Sequence, residues 1–325
     1  MTKIEFASMM GLPKQPNGGK LMTSISIDLL LIILFTEIDD WYKANEDMYC
    51  ERTTGCPPTF SDSEMMTLMI AEDYIPYPAE SQYVEYIRAN HLDLFPDLLT
   101  QSQFNRRARQ LAQTVEMMRR SWLVKVGVGL EDTYIIDTKP VPVVGYKRSK
   151  SRSYFLDSAS YGYCASRNMK YFGYKLVMIT TLDGIVVTYD LVPANTDERK
   201  AAEAILDQIE NVQIIGDKGF LGAAWQAKIE EETGNQVITP KRKNQLIQHP
   251  EGFEKMLNHV RERIEGVFNE LQNTGRNLER LLAKTVSGLS TRVISKVTSH
   301  LMKYMLRQKY QIDVQTFTCS GDMAF

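Results

Sequence analysis

The feature that most constrains the fold is a pair of apolar, β-branched runs joined by a very short connection. The runs are YFGYKLVMITT and GIVVTYDLVPA, and they meet at Leu182, Asp183 and Gly184. An Asp-Gly pair between apolar runs is a strong signal for a β-hairpin. The sequence therefore predicts two antiparallel strands joined by a tight turn.

Further strands and helices are predicted on both sides of this hairpin. Thr133–Val144 is rich in β-branched residues and carries two prolines, so it is expected to be a strand that leaves into an irregular loop. After the hairpin follow a helix capped by Asn195 or Thr196, the strand NVQIIGD, a helix closed by Gly234, the strand QVITP and a long helix. The order β-β-β-α-β-α-β-α predicts an α/β fold with a mixed sheet of the α+β type. The expected architecture is an RNase-H-like core with helices packed on the sheet.

The chain before this sheet is predicted to be an all-α N-terminal domain. Over residues 22–126 the apolar residues recur at helical spacing, and Ser61 with Glu64 forms a capping box before an apolar run. The run LLLIILF is too short to cross a membrane, which takes roughly 20 apolar residues, so a buried helix is predicted there. A later helix carries a basic face that is either solvated or in contact with phosphate, formed by Arg106, Arg107, Arg109, Arg119 and Arg120.

Composition is that of an ordinary globular protein. Of the 325 residues, 43% are hydrophobic and 24% are charged, and the length predicts two domains, with one large domain as the alternative. The net charge is -2, so any binding of nucleic acid must depend on local basic patches. The four cysteines show no CxxC spacing, so reduced thiols and a cytoplasmic location are expected rather than a disulfide framework or a zinc site.

The expected organisation has four parts. Residues 1–20 are rich in glycine and proline, and are expected to be a disordered N-terminus without a signal peptide. Residues 21–128 form the helical region, with a role in DNA binding or dimerisation. The RNase-H-like catalytic domain is expected over residues 129–310, and a C-terminal tail over residues 311–325.

Two aspartates stand at the ends of predicted apolar strands. Asp137 ends TYIID and Asp217 ends VQIIGD, at the carboxyl strand ends where open α/β sheets place their sites. Carboxylates brought together there repel unless a cation bridges them, and such a set suits Mg²⁺. Each aspartate also has a simpler interpretation, because Asp137 can cap a turn at Thr138 and Asp217 a helix near Phe220.

A third acid is predicted on the long helix. Glu265 lies beside an apolar stripe at helical spacing, formed by Ile264, Val267, Phe268 and Leu271. The alternative is a surface pair between Arg261 and Glu265, worth at most about 0.5 kcal/mol. Asp197 and Glu198 are interpreted as first-turn helix charges without a catalytic role.

Basic residues concentrate around the predicted acids. The two richest runs are YKRSKSRSY, after the first aspartate, and PKRKNQ, before the long helix. Phosphate contacts supply most of the affinity for DNA, so this convergence favours DNA contact over solvated loops. The candidate DNA-binding residues are Lys147, Arg148, Lys150, Arg152, Lys175, Lys218, Lys241, Arg242, Lys243 and Arg261.

Six segments occur in an order that points to a known family: IIDTKPVPV, YFGYKLVMIT, DGIVVTYDLVPANTDER, IIGDKGF, TPKRKNQ and RERIEGVFNELQ. Together they resemble the DDE transposases of bacterial insertion sequences. FTEIDDWYKAN and LLTQSQFNRRARQL resemble the region before the catalytic core in one such group, so the resemblance covers roughly residues 35–306. It implies a catalytic triad of Asp137, Asp217 and Glu265. Arg261 and Glu265 also match a Tyr–Arg–Glu–Lys signature, in which Asn258 and Gln272 replace the tyrosine and the lysine.

The resemblance also implies an activity. Such a transposase cleaves DNA at the ends of its element and joins the 3′-OH ends to target DNA, with two Mg²⁺ (or Mn²⁺) ions held about 3.5–4 Å apart by the three acids. The expected partners are double-stranded DNA, as terminal inverted repeats and target, and a second copy of the chain, with no membrane. Two other functions stay open: a DNA-binding protein without catalysis, and a metal-dependent nuclease on this fold that does not join strands.

Overall fold

The computed structural model describes residues 22, 25–49, 58–75, 77, 79–129, 131–148, 154–242, 245, 248–275 and 277–314. The chain divides into two units. One contains the described residues up to Arg119 and those from Thr298 onward, and the other contains Arg120–Val297. The predicted disorder of residues 1–20 lies outside the described residues, and the predicted domain boundaries stay a prediction.

Before the sheet, the described residues form helices α1 (Ile27–Ala44), α2 (Glu46–Tyr49), α3 (Asp62–Ala71), α4 (Glu80–Asn90) and α5 (Gln101–Lys125). The run LLLIILF lies in α1, where Leu30, Leu31, Ile33 and Leu34 are buried, so the predicted buried helix is confirmed. The capping box before α3 is confirmed too, since Glu64 N donates to Ser61 Oγ and Ser61 N donates to Glu64 Oε2. Among the described residues, no helix has the length and apolar character needed to cross a membrane.

Two arginines of α5 are engaged inside the first unit. Arg107 Nη2 lies 2.5 Å from Asp62 Oδ1, and Arg107 Nη1 donates to the carbonyl of Phe60. Arg119 is only 1% exposed and pairs with Glu116 at 2.7 Å. The expectation of a solvated or phosphate-binding face is therefore wrong for these two side chains, because Arg107 joins α5 to Phe60 and Asp62, and Arg119 is buried and paired within α5.

The second unit contains the sheet. Its elements are β1 (Thr133–Val144), β2 (Ser160–Cys164), β3 (Met169–Thr181), β4 (Val186–Pro193), α6 (Glu198–Leu206), β5 (Gln213–Ile215), α7 (Ala223–Thr233), β6 (Gln236–Ile238) and α8 (Glu251–Asn273), followed by α9 (Val286–Tyr310). The strand order is β2-β3-β1-β5-β6, with β4 also paired to β3. β3 is antiparallel to β1, β2 and β4, while β5 is parallel to β1 and β6. Along the chain, the strands of this mixed sheet that pair antiparallel come before the parallel additions β5 and β6. This arrangement is the predicted RNase-H-like core.

Helices cover both faces of the sheet. Ile135, Leu176 and Met178 pack with α8 and α9 on one face, and Ile136 and Val177 pack with α6 on the other. The predicted apolar stripe of α8 is buried at every position: Ile264, Val267, Phe268 and Leu271. Helix α8 is thus held on the sheet by the residues that flank Glu265.

The predicted hairpin joins β3 to β4 and also anchors α8. Gly184 has a φ of +88°, a conformation that side-chain-bearing residues rarely adopt. Arg263 of α8 donates from Nε to the carbonyl of Asp183 at 2.9 Å. A Cβ atom at Gly184 would lie 2.7 Å from that Nε, so the glycine allows both the turn and the docking of α8.

Two details of the predicted secondary structure are wrong. Strand β2 is an additional edge strand, with Tyr161 and Tyr163 exposed and with the ring of Tyr171 packed against Gly162. Its five residues become a strand only through pairing with β3. Helix α6 is capped by Asp197, whose Oδ1 accepts from Arg199 N at 3.0 Å, and not by Asn195 or Thr196.

Candidate active site

Asp137 lies at the point where β1 loses one of its two neighbours. β1 pairs with β5 only over residues 133–135, and β5 ends at Ile215. β1 itself continues to Val144, paired with β3. The prediction that Asp137 ends its strand is therefore wrong, and the aspartate lies within β1, just past the end of its parallel neighbour.

The two prolines of β1 are compatible with this extension. Pro140 and Pro142 have the same strand parity, so their nitrogens face the same edge of β1. Beyond the end of β5, no described strand pairs with that edge of β1. A proline, which has no N–H, therefore loses no sheet hydrogen bond there. The strand can therefore carry prolines and still stay paired with β3.

Asp217 follows β5 and starts a short 3-10 turn at Lys218–Phe220. Its Oδ1 accepts from Gly219 N at 2.6 Å, while Oδ1 of Asp137 accepts from Thr138 N at 2.7 Å. The simpler interpretation of Asp217 as a helix cap is confirmed, whereas that of Asp137 as a cap of a turn is wrong, because Thr138 continues β1. Neither hydrogen bond competes with a second role here, because both carboxylates also line the same cavity.

The cavity has a volume of about 770 Å³ and a strongly charged lining. Four carboxylates line it, those of Asp137, Glu198, Asp217 and Glu265, together with the cations Lys139, Lys175 and Arg261. The three predicted acids are thus brought to one cavity. Asp137 and Asp217 are half-buried, whereas Glu265 is exposed on α8.

Glu198 is the acidic residue that the sequence analysis missed. It stands in the first turn of α6, and its Oε1 accepts from Thr138 Oγ1 at 3.2 Å. A usable signal was present, because Ala201, Ala202 and Ile205 are three, four and seven residues further on and form the buried stripe of α6. Glu198 therefore lies on the face of α6 that meets the sheet.

Burial and like charge perturb two of these carboxyls. Burial raises the pKa of Asp137 to about 7, the Thr138 N–H bond opposes the shift, and the charges of Asp217 and Glu198 add to it. The pKa of Glu198 is also raised, mainly by burial and then by Asp217. A raised carboxyl pKa means that the anionic form is destabilised in the metal-free cavity, so the cavity favours the arrival of positive charge.

Comparison with known proteins identifies the family. A family model described as "Transposase DDE domain" matches residues 129–302, more than half of the chain. The chain belongs to the DDE transposase family. No curated protein matches it.

The transposase is also similar to two solved structures. One, described as "Mos1 transposase paired-end complex with left transposon end", is 14% identical, with 71% of this chain and 86% of that chain covered and a TM-score of 0.20. The other, "Crystal structure of the Mos1 mariner paired end complex with Mn", is 13% identical, with 82% and 85% covered and a TM-score of 0.18. At these scores the fold assignment rests on the strand order alone.

Divalent metal ions serve the DDE transposases, and the donor set of this cavity fits them. The acidic side chains that line the cavity all offer carboxylate oxygens, which Mg²⁺ and Mn²⁺ prefer as ligand atoms. In the described part of the chain, no three His, Cys, Asp or Glu side chains are close enough together to hold a metal ion. Binding one ion through three of these carboxylates therefore requires side-chain movement.

Positive charge reaches the cavity from three elements. Lys175 of β3 donates from Nζ to the carbonyl of Thr196 at 2.8 Å. Arg261 of α8 has a buried Nε without a hydrogen-bond partner among the described residues. Lys139, which was not predicted, lies two residues after Asp137 on the same side of β1, with its Nζ 5.9 Å from the centre of the Phe268 ring.

Of the other predicted basic residues, those that the structure describes are not in the lining of the cavity. Lys218 is exposed, and Arg242 Nη2 donates to its carbonyl at 3.4 Å, with Lys241 beside it. Lys147 and Arg148 follow the far end of β1. Val144 is seven positions after Asp137, about 23 Å along the strand, and the contact of this run with DNA stays a prediction. Lys150, Arg152 and Lys243 lie outside the described residues.

Proposed function

We propose that this transposase cleaves DNA at the ends of an insertion sequence and joins the freed 3′-OH ends to target DNA. The observation that carries the proposal is the single cavity lined by Asp137, Asp217 and Glu265 within the matched family region. Two of these carboxylates come from adjacent strands of the sheet and the third from the helix packed on it. These three residues are the proposed catalytic triad.

The triad would hold the divalent cations, proposed as two Mg²⁺ or Mn²⁺ ions. Bound divalent ions supply activation of an attacking water or 3′-OH and stabilisation of the leaving oxygen. Asp137 and Asp217 each commit one oxygen to a backbone N–H, which fixes the direction of the carboxylate. These bonds do not use the second oxygen of either carboxylate, and those two oxygens are the proposed ligand atoms.

The cations of the cavity would bind the phosphates next to the scissile bond. Lys175 and Arg261 are the predicted members of this set, and Lys139 joins them. The unpartnered Nε of Arg261 is a donor suited to a phosphate oxygen. Lys218, Lys241 and Arg242, together with the remaining predicted basic residues, are proposed to contact the DNA further from the cut.

The proposed partners are the two terminal inverted repeats and a target duplex. Because two ends must be handled together, we propose that the chain acts as a homodimer on DNA. The proposed place of action is the bacterial cytoplasm, at the nucleoid.

A cleavage assay tests this proposal. The full chain is incubated with DNA that carries the ends of the element flanking its gene, with Mg²⁺ or Mn²⁺, and both nicked and joined products are measured. Asp217→Asn is expected to lower cleavage about a thousandfold, since a metal ligand contributes several kcal/mol to the transition state, and to bind DNA as the wild type does.

The same assay separates the two other functions. DNA binding that is unchanged by a chelator, with no cleavage under either metal, would favour a DNA-binding protein without catalysis. Cleavage of branched or hybrid substrates without any joined product would favour a metal-dependent nuclease. Either result contradicts the proposed transposition chemistry.

A further inference from the structure

Glu198 lies among the members of the proposed triad although it is not one of them. Its Oε1 accepts a hydrogen bond from Thr138, the residue that follows Asp137 in β1. Its side chain lines the same cavity as Asp137 and Asp217. Glu198 is therefore tied to the sheet end of the cavity rather than to the solvent around α6.

The second oxygen of Glu198 approaches Asp217 across a glycine. A Cβ atom at Gly219 would lie 1.7 Å from Glu198 Oε2 and 2.8 Å from Asp217 Oδ1. Both carboxylates therefore converge on the backbone of Gly219, and any larger residue there would displace Glu198. Two carboxylates this close repel each other unless a cation lies between or beside them.

No cation of the protein takes this place among the described residues. Burial and then Asp217 raise the pKa of Glu198, and the charge of Lys175 opposes this shift without reversing it. The Nζ of Lys175 itself donates to the carbonyl of Thr196. The neighbouring acid is quite different: Asp197 is 58% exposed, caps α6 and pairs with Arg199 at 3.3 Å. Glu198 is thus a half-buried acid that faces another acid, next in the chain to an exposed acid that is paired with a cation.

We propose that Glu198 is a fourth carboxylate ligand for the divalent cation, shared with Asp217. This rests on the proposed function and deepens it. The sheet side of the cavity then supplies three carboxylates, those of Asp137, Asp217 and Glu198, whose side chains must move closer together to bind one ion. Oxygen ligands of this kind suit Mg²⁺ and Mn²⁺.

Mn²⁺ binding to the full chain tests the proposal without any reaction. The free aqueous Mn²⁺ is measured by electron paramagnetic resonance during titration of the wild type, Glu198→Gln and Asp197→Asn. Glu198→Gln keeps the size of the side chain and its acceptor for Thr138 but removes the charge. It is expected to weaken Mn²⁺ binding at least about tenfold, whereas Asp197→Asn stays within about twofold of the wild type.

Glu198→Gln that binds Mn²⁺ as tightly as the wild type would overturn the proposal. If Glu198→Gln does not fold, Thr138→Val replaces it, because this variant removes the hydrogen bond that orients the carboxylate. Weaker Mn²⁺ binding by Thr138→Val supports the proposal, and unchanged binding overturns it.

Asp217→Asn separates this inference from the proposed function. If Asp217→Asn loses Mn²⁺ binding while Glu198→Gln binds Mn²⁺ as the wild type does, only the proposed role of Glu198 is contradicted. A wild type that binds no Mn²⁺, or an Asp217→Asn variant that binds it normally, overturns both proposals.

Discussion

The two sides of the cavity are built differently. On the sheet side, Asp137 and Asp217 are half-buried and each accepts a backbone N–H bond at 2.6–2.7 Å. On the helix side, Glu265 is exposed, and only the apolar residues around it are buried. The fold therefore fixes the sheet-side carboxylates in place before any ligand arrives, while it fixes only the helix that carries Glu265.

This difference has a physical origin. A strand residue is positioned by the ladder on either side of it, and a following turn can lock its side chain through a nearby N–H. A residue beside the apolar stripe of a helix is positioned only at its backbone, and its long side chain keeps its rotamer freedom. We infer that the sheet side is preorganised for a cation and that Glu265 joins when the ion and DNA are present.

The largest expected effect is on metal affinity. Asp137→Asn is expected to weaken Mn²⁺ binding about a hundredfold, because it removes a preorganised ligand. Glu265→Gln is expected to weaken Mn²⁺ binding to the DNA-free protein by less than about tenfold. Titration of both variants with Mn²⁺ makes the comparison. Equal losses of affinity would show that the two sides are equally organised.

The next effect is on stability and uses two glycines: Gly219, which is next to Glu198 and Asp217, and Gly266 of α8, which lines the cavity. Gly219→Ala is expected to lower the free energy of unfolding by about 2–3 kcal/mol, since the new Cβ meets Glu198 and Asp217. A Cβ atom at Gly266, inside α8, would have nothing within 4 Å. Gly266→Ala is therefore expected to raise the free energy of unfolding by about 0.5–1 kcal/mol. Urea unfolding measures both. A neutral Gly219→Ala would contradict the crowding at the sheet side.

A third effect depends on pH. Asp137 has a pKa of about 7 in the folded state against 3.8 as its ordinary value, so the folded state binds more protons between these values. Stability of the metal-free wild type therefore falls as pH rises from about 4 to 7. Asp137→Asn lacks this titration and is expected to be more stable than the wild type by about 2 kcal/mol at pH 8, with no such gain at pH 4.

Thermal or urea unfolding at the two pH values checks this prediction. The groups that act on Asp137 are the like charges Asp217 and Glu198 and the opposite charge Arg261. A difference between Asp137→Asn and the wild type that is the same at pH 4 and pH 8 would contradict the burial of an ionisable carboxyl at the sheet side.

The smallest effect concerns DNA affinity. Lys175→Gln removes a cation of the cavity and is expected to reduce the slope of log K against log salt by about 0.9. Lys228→Gln is the matched control, because Lys228 lies on α7 and is paired with Glu203 at 3.4 Å. Binding to duplex DNA across a series of salt concentrations measures both slopes. Equal slopes for the two variants would remove Lys175 from the phosphate contacts.

The sequence was informative wherever a local pattern decides the structure. The hairpin at Asp183 and Gly184, the capping box at Ser61 and the buried stripe around Glu265 were all predicted, because turn chemistry and periodicity act over a few residues. The same patterns predicted that Asp137 and Asp217 lie close together, since each follows an apolar run that forms a strand. Both residues line one cavity.

Features that depend on partners distant in sequence were not predicted. Strand β2 exists because β3 offers it an edge, and β1 continues past Asp137 because β3 is longer than β5. Glu198 was assigned to the helix dipole because its partners, Thr138 and Gly219, are 60 and 21 positions away. Local patterns cannot show such contacts, and this is how an acid of the cavity was missed.

Anomalous diffraction from Mn²⁺-soaked crystals of the full chain tests the central claim most directly, since it shows where the ion binds and which oxygens hold it. The expected result is an Mn²⁺ peak in the cavity, bound by oxygens of Asp137, Asp217 and Glu198. A cavity without a peak, or Mn²⁺ held by residues of α8 alone, would contradict a metal site organised by the sheet.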